Sequence, residues 1–352
     1  VSLDENALSR RRAELERSGA HLIDLTEWNP TTAGLSDYGV TLPAVDRYAP
    51  DPLGLRSARE AIGRYANVSA DQLLLSASTS EAYAWLFKLL GGEALVPAPC
   101  YPLLDHLAAL ERVTLRRYPL RYDGRWCTDA PVVADAGSAA TRAVIAVSPG
   151  NPTGSYLAED EAGALAALCA RRGWALIIDE VFAAPARALT REWPCLTFVL
   201  GGLSKACGLP QLKLAWTSTH GPGAGPALER LAFIADTYLS VSSPVQAAAQ
   251  ELLSLAPAFQ QRVGERCARN RALLQLSIPS DWQLLGAEGG WSGVLRVPQA
   301  LDEETRCLEL LERGVAVHPG YFYDFPAGAH LVVSLLPRPE QLVEGLKRLC
   351  SP

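Results

Sequence analysis

The sequence predicts an α/β protein: a large domain on a mostly parallel, doubly wound sheet, plus a smaller α+β domain drawn from both ends of the chain. Three observations carry this. Short apolar or β-branched runs alternate with helical patterns over roughly residues 70–220, the rhythm of parallel strands joined by crossover helices. Several of these runs stop at Gly, Pro or Ser, where a strand gives way to a loop. A chain of 352 residues is long for a single core and suits one large and one small unit.

The composition is globular, 49% hydrophobic and 20% charged, and it narrows function mainly by exclusion. A net charge of -6 offers no basic surface for nucleic acid. No apolar run approaches a membrane span, and the charged helical pattern of residues 9–16 has no signal-peptide core behind it, so a cytoplasmic enzyme is expected. The 8 cysteines form no Cys-x-x-Cys pair and no histidine stands at ligand spacing, which indicates reduced thiols, no disulfide framework and no metal site.

In chain order, a helix to about Ser18 leads to a short strand from His21 to Leu25 and a Pro-broken loop over residues 26–31. Residues 48–55 form a rigid turn before a helix of period 3.6 through Tyr65. Leu73-Leu74-Leu75 is a strand running directly into Ser76-Ala77-Ser78-Thr79-Ser80-Glu81, where Ser78 with Glu81 makes a capping box for the helical run Ala82 to Leu90. A strand feeding a hydroxyl-rich helix start exposes N–H groups and the positive end of the dipole, which suits a phosphate; capping alone accounts for the serines equally well.

Strands at 94–97, 113–118 and 143–148 and helices at 103–110 and 159–172 continue the rhythm. The loop Pro149-Gly150-Asn151-Pro152-Thr153-Gly154 is fixed by its prolines and glycines and aims the asparagine amide. Trp174 to Glu180 reads as a strand buried on both faces with Asp179 at its carboxyl end, and a buried carboxylate needs a cationic partner. Leu196 to Leu200 is the next strand; Gly201-Gly202 stops it and Ser204-Lys205 follow at the sheet's mouth, where α/β enzymes place their chemistry. Taken alone, a Ser-Lys dipeptide in a loop reads first as a solvated lysine, and the other segments change that reading. Residues 244–276 form a long helix or helix pair, and segments at 282–297, 303–313, 315–318, 331–335 and 339–350 build the smaller domain. The expected division is therefore residues 1–47 joining the small domain, 48–243 as the large domain, and 244–352 as long helix and small domain.

Ser-Pro-Gly-Asn-Pro-Thr-Gly at 148–154, Ile-Ile-Asp-Glu-Val-Phe at 177–182 and Leu-Ser-Lys at 203–205, with a basic residue eight positions after the lysine, occur in the order and spacing of a known family. The chain resembles the fold-type I pyridoxal-phosphate enzymes of the class I/II aminotransferase family over nearly its whole length. The resemblance implies an aspartate-aminotransferase-like fold and transfer of an amino group between an amino acid and a 2-oxo acid. It also assigns roles: Lys205 holds pyridoxal 5'-phosphate as a Schiff base and shuttles the proton, and Asp179 pairs with the pyridine nitrogen. Asn151 donates to the 3'-oxygen, Tyr101 stacks on the ring, and Thr79, Ser80 and Lys213 hold the phosphate. Tyr48 reaches the phosphate of a neighbouring subunit, which implies a homodimer with shared active sites.

Departures from the family pattern bear on the substrate. Phe182 stands where a tyrosine usually bonds the 3'-oxygen, Gly202 replaces a phosphate-touching serine, and Trp28 takes the place of a small residue over the substrate. Val332 occupies the position of the arginine that grips the substrate carboxylate. With Tyr321 on an aromatic loop nearby in sequence, these departures favour an apolar or aromatic substrate. They also keep open a lyase, cyclase or oxidase on the same fold, or a non-catalytic cofactor-binding protein; retention of Lys205, Asp179 and Asn151 argues against the last.

Overall fold

The computed structural model describes residues 5–189 and 192–350. Its centre is a 7-stranded sheet in the order Leu73–Ser76, Ala215–His220, Thr197–Gly202, Ala175–Asp179, Thr141–Val147, Glu93–Ala98, Thr114–Pro119. Every pairing is parallel except those of Ala215–His220, which runs antiparallel to both neighbours. The sheet is covered on both faces. On one, the Thr79–Leu90 and Ala224–Asp236 helices bring Trp85, Leu86 and Leu231 onto Ile145, Ile177 and Phe198. On the other, the Glu159–Arg172 helix brings Leu165 and Cys169 onto Val144, Leu176 and Ile178. That double cover is why the central strands read as unbroken apolar runs, each buried leucine or isoleucine contributing roughly 2 kcal/mol.

A second sheet of 4 antiparallel strands, Gln283–Leu284, Ser292–Val297, Ala329–Ser334 and His318–Pro319, packs with the C-terminal Pro339–Leu349 helix. The N-terminal segment enters the same core: Ile23–Asp24 pairs in parallel with Val315–Ala316, and Leu8, Ile23 and Leu25 are buried there. The Ala256–Ser277 helix connects the two units, with Phe259 buried near its start and Leu274 in the second core. The single long helix or pair expected from residue 244 onward is three pieces, Ser243–Ala247, Ala249–Ser254 and Ala256–Ser277. Prolines sit in the first turn of the first and last pieces, and a proline can start a helix but cannot continue one.

The Ala215–His220 strand and the Ala224–Asp236 helix are not among the expected elements, although the helix buries Ala227, Leu231 and Ala235 at helical spacing. Thr217, Ser218 and Thr219 are buried polar residues, which hide the strand's apolar signature. All 8 cysteines are unpaired, and 6 of them are buried. Among the described residues no helix is long and apolar enough to cross a membrane.

Candidate active site

The strand ends place several of the expected residues around one cavity of about 270 Å³. Trp28, Thr79, Ser80, Tyr101, Asn151, Asp179, Lys205 and Lys213 all line it. Each arrives by a local device. The Leu73–Ser76 strand turns into the Thr79–Leu90 helix through Ser78, whose side chain accepts from Glu81 N at 3.1 Å, while Glu81 accepts from Ala77 N at 2.6 Å. These two bonds fix the helix start and leave Thr79 and Ser80 facing the cavity. The asparagine loop turns so tightly that a Cβ on Gly150 would meet Thr153 Oγ1 at 2.2 Å, so only glycine fits before Asn151. Similarly, a Cβ on Gly201 would lie 2.5 Å from the Trp216 ring, so this glycine lets the strand reach the single helical turn Leu203–Ala206 that carries Lys205.

Asp179 is 8% exposed, and its carboxylate takes hydrogen bonds from Val181 N at 3.0 Å and from the Tyr83 hydroxyl at 3.1 Å. Burial pushes its pKa up to about 6 against the pull of these two neutral donors. Neither donor is a cation, so a protonated ring nitrogen is the partner this carboxylate needs. Lys205 shows the complementary effect. Burial brings its pKa down to about 8, with only the Glu27 charge acting to raise it. Its Nζ lies 4.7 Å from the Trp291 ring centroid and 5.2 Å from that of Phe182, two faces that favour a cation.

An amine of this kind is nucleophilic near neutral pH. Trapping of a simple aldehyde on the cofactor-free protein with borohydride should titrate on Lys205 with a midpoint near 8. A midpoint above 10, the range of an exposed lysine, would show that the ammonium is solvated.

The donor set suits pyridoxal phosphate: a buried carboxylate for the ring nitrogen, an amine of lowered pKa for the aldehyde, and a helix start with Lys213 for the phosphate. Among the described residues, a larger cavity of about 670 Å³, bounded in part by Arg64, Glu180 and His220, shares only Val181 and Gly202 with this one and has no lysine in its wall.

Two expected residues, Val332 and Tyr321, are not brought to the cavity, and Tyr48, expected at a neighbouring subunit's site, lies elsewhere on this chain. Val332 is fully buried in an apolar cluster with Trp126, Leu285, Val294 and Tyr323, because a short branched side chain on a central strand packs into the core beneath it. Tyr321 is 44% exposed and its hydroxyl donates to Glu304 at 3.3 Å. Tyr48 is 68% exposed and borders a different, smaller cavity. Sequence reasoning missed Tyr83, Trp291 and Ser292 as cavity residues. Gly289-Gly290 before Trp291 was the available signal for two of them; Tyr83 looks like any aromatic on a buried helix face.

The comparisons with known proteins agree with this geometry. The profile of the aminotransferase class I and II family matches residues 46–349. This chain belongs to that family. It is therefore a pyridoxal-phosphate-dependent enzyme of amino-group transfer. An alanine aminotransferase of Mycobacterium tuberculosis is 26% identical over 379 residues, covering 96% of this chain and 86% of that one. Nicotianamine aminotransferase B of Hordeum vulgare is 27% identical over 227 residues, 58% of this chain and 41% of its own length. In fold, a Thermus thermophilus aspartate aminotransferase double mutant matches with a TM-score of 0.83 at 22% identity, covering 99% of this chain and 97% of the other.

Proposed function

We propose that this aminotransferase takes its amino group from an amino acid or amine with an apolar or aromatic portion and gives it to a 2-oxo acid. The observation that carries the proposal is the make-up of the cavity wall. No arginine lines it among the described residues, and its only cations are Lys205 and Lys213. Trp28, Tyr101, Leu103, Phe182 and Trp291 supply broad apolar surface instead. A second carboxylate entering such a wall would lose its water and find no counter-charge, a cost of several kcal/mol.

Bound pyridoxal phosphate supplies an aldehyde for the amine and a ring that takes up electrons. The protein's own contributions follow from position. Lys205 would anchor the cofactor and is placed to move the proton at the substrate carbon. Asp179 keeps the ring nitrogen protonated, Thr79, Ser80 and Lys213 hold the phosphate, and Tyr101 covers the ring face. Trp28 narrows the substrate side; its indole nitrogen is buried without a protein partner and is a donor for a substrate oxygen. Exposed Tyr48 supports a homodimer in which it serves the partner's site, within a cytoplasmic protein divided at about residues 47 and 243.

A donor screen tests the reading. Single-turnover conversion of the bound cofactor to its amine form, followed by absorbance, should run at least ~10-fold faster with phenylalanine-like or leucine-like donors than with aspartate, without release of ammonia. Equal or faster conversion by aspartate would sink it. Alanine belongs in the same screen, since one relative bears its name.

A further inference from the structure

The Asp179 carboxylate is held from two sides, and one of them is unassigned by the roles above. Val181 N, two residues on in the same chain turn, bonds Oδ1, while the Tyr83 hydroxyl crosses from the Thr79–Leu90 helix to bond Oδ2 at 3.1 Å. Tyr83 is 3% exposed, its ring packs 5.9 Å from that of Phe87, and it borders the same cavity as Asp179. A buried phenol beside a carboxylate keeps its proton at any working pH, so Tyr83 can only donate here.

We propose that Tyr83 is a positioning residue for amino-group transfer: by occupying one lone pair of Asp179 Oδ2 it fixes the rotation of the carboxylate, so that the remaining lone pair faces the ring nitrogen. The arrangement has a mechanical consequence. The helix whose first residues, Thr79 and Ser80, face the phosphate end of the site also pins the acid at the ring end, one turn further on. The spacing between the residues that would hold the two ends of the cofactor is thereby set by a single rigid element. A carboxylate held only by Val181 N is free to turn about its last bond, and it loses a charge-assisted hydrogen bond in a dry site.

The inference rests on Asp179 being the partner of the ring nitrogen, and the test separates the two. Cofactor-stripped wild type, Tyr83→Phe and Asp179→Asn are titrated with pyridoxal phosphate and with the analogue carrying CH in place of the ring nitrogen, reading affinity by fluorescence. Tyr83→Phe keeps the ring and its packing on Phe87 and removes one oxygen. The expected result is a loss on the order of tenfold for pyridoxal phosphate and none for the carbon analogue, so the preference for nitrogen shrinks. Equal loss for both ligands, or no loss for either, overturns the proposal and leaves Tyr83 a packing residue. If Asp179→Asn retains the full nitrogen preference, Asp179 is not the ring's partner and both readings fall. If Asp179→Asn loses it while Tyr83→Phe keeps it, only Tyr83 is displaced.

Discussion

Lys205→Ala is expected to reduce turnover by at least ~10³-fold while cofactor still binds, because the substitution removes both the covalent anchor and the group that moves the proton. The other holding points are untouched: Asp179 lies on the neighbouring Ala175–Asp179 strand, and Thr79, Ser80 and Lys213 reach the cavity from separate segments. Retained, non-covalent cofactor should therefore be measurable by dialysis and absorbance. The decisive check is on the wild type. Borohydride reduction followed by peptide mapping should place the pyridoxyl label on Lys205. Lys213 is the nearest rival, since it lines the same cavity, but it is exposed to solvent. Lys88 is paired with Glu111 away from the cavity. A label on either would overturn the assignment of the catalytic lysine.

Much of the parallel sheet was legible in the sequence because its strands are buried on both faces and end in residues that stop them. Leu73 to Leu75, Trp174 to Glu180 and Leu196 to Leu200 read as strands for that reason, although the last runs on through Gly201 and Gly202 instead of stopping at them. The same logic failed at Ala215–His220. There the buried residues are threonine and serine, and the strand runs against its neighbours without a crossover helix to announce it. At the site, the residues that the chemistry itself demands were legible: an acid at a strand end, a lysine after the next strand, an asparagine in a rigid loop. What was not legible depends on rotation and distance. Tyr83 bonds Asp179 across 96 positions of sequence, and no periodicity distinguishes a tyrosine aimed at a carboxylate from one aimed at a core. Phe182 was noticed for the hydroxyl it lacks. Its ring, at 5.1 Å from Trp291 and 5.2 Å from Lys205 Nζ, is a contact that only coordinates reveal.

Val332→Arg should destabilise the protein rather than restore a carboxylate grip. The resemblance implies an arginine at this position and invites its reinstatement, but the valine is enclosed by apolar side chains. Val332 is fully buried on the Ala329–Ser334 strand, opposite Val294 on one side and His318 on the other, in a cluster closed by Trp126, Leu285 and Tyr323. Trp28 and Phe322 pack against the same cluster, so the space an arginine stem would use is taken by rings. An unpaired guanidinium in such a place costs about 3–5 kcal/mol, as does any uncompensated buried charge. For a protein of this size that is a fall in Tm of about 4–7 °C. Thermal unfolding of the holoenzyme measures it directly, and turnover with aspartate, measured in parallel at a temperature where both proteins are folded, should not rise. An unchanged Tm together with a large gain on aspartate would mean that the new side chain reaches the cavity past Trp28 and grips a carboxylate there.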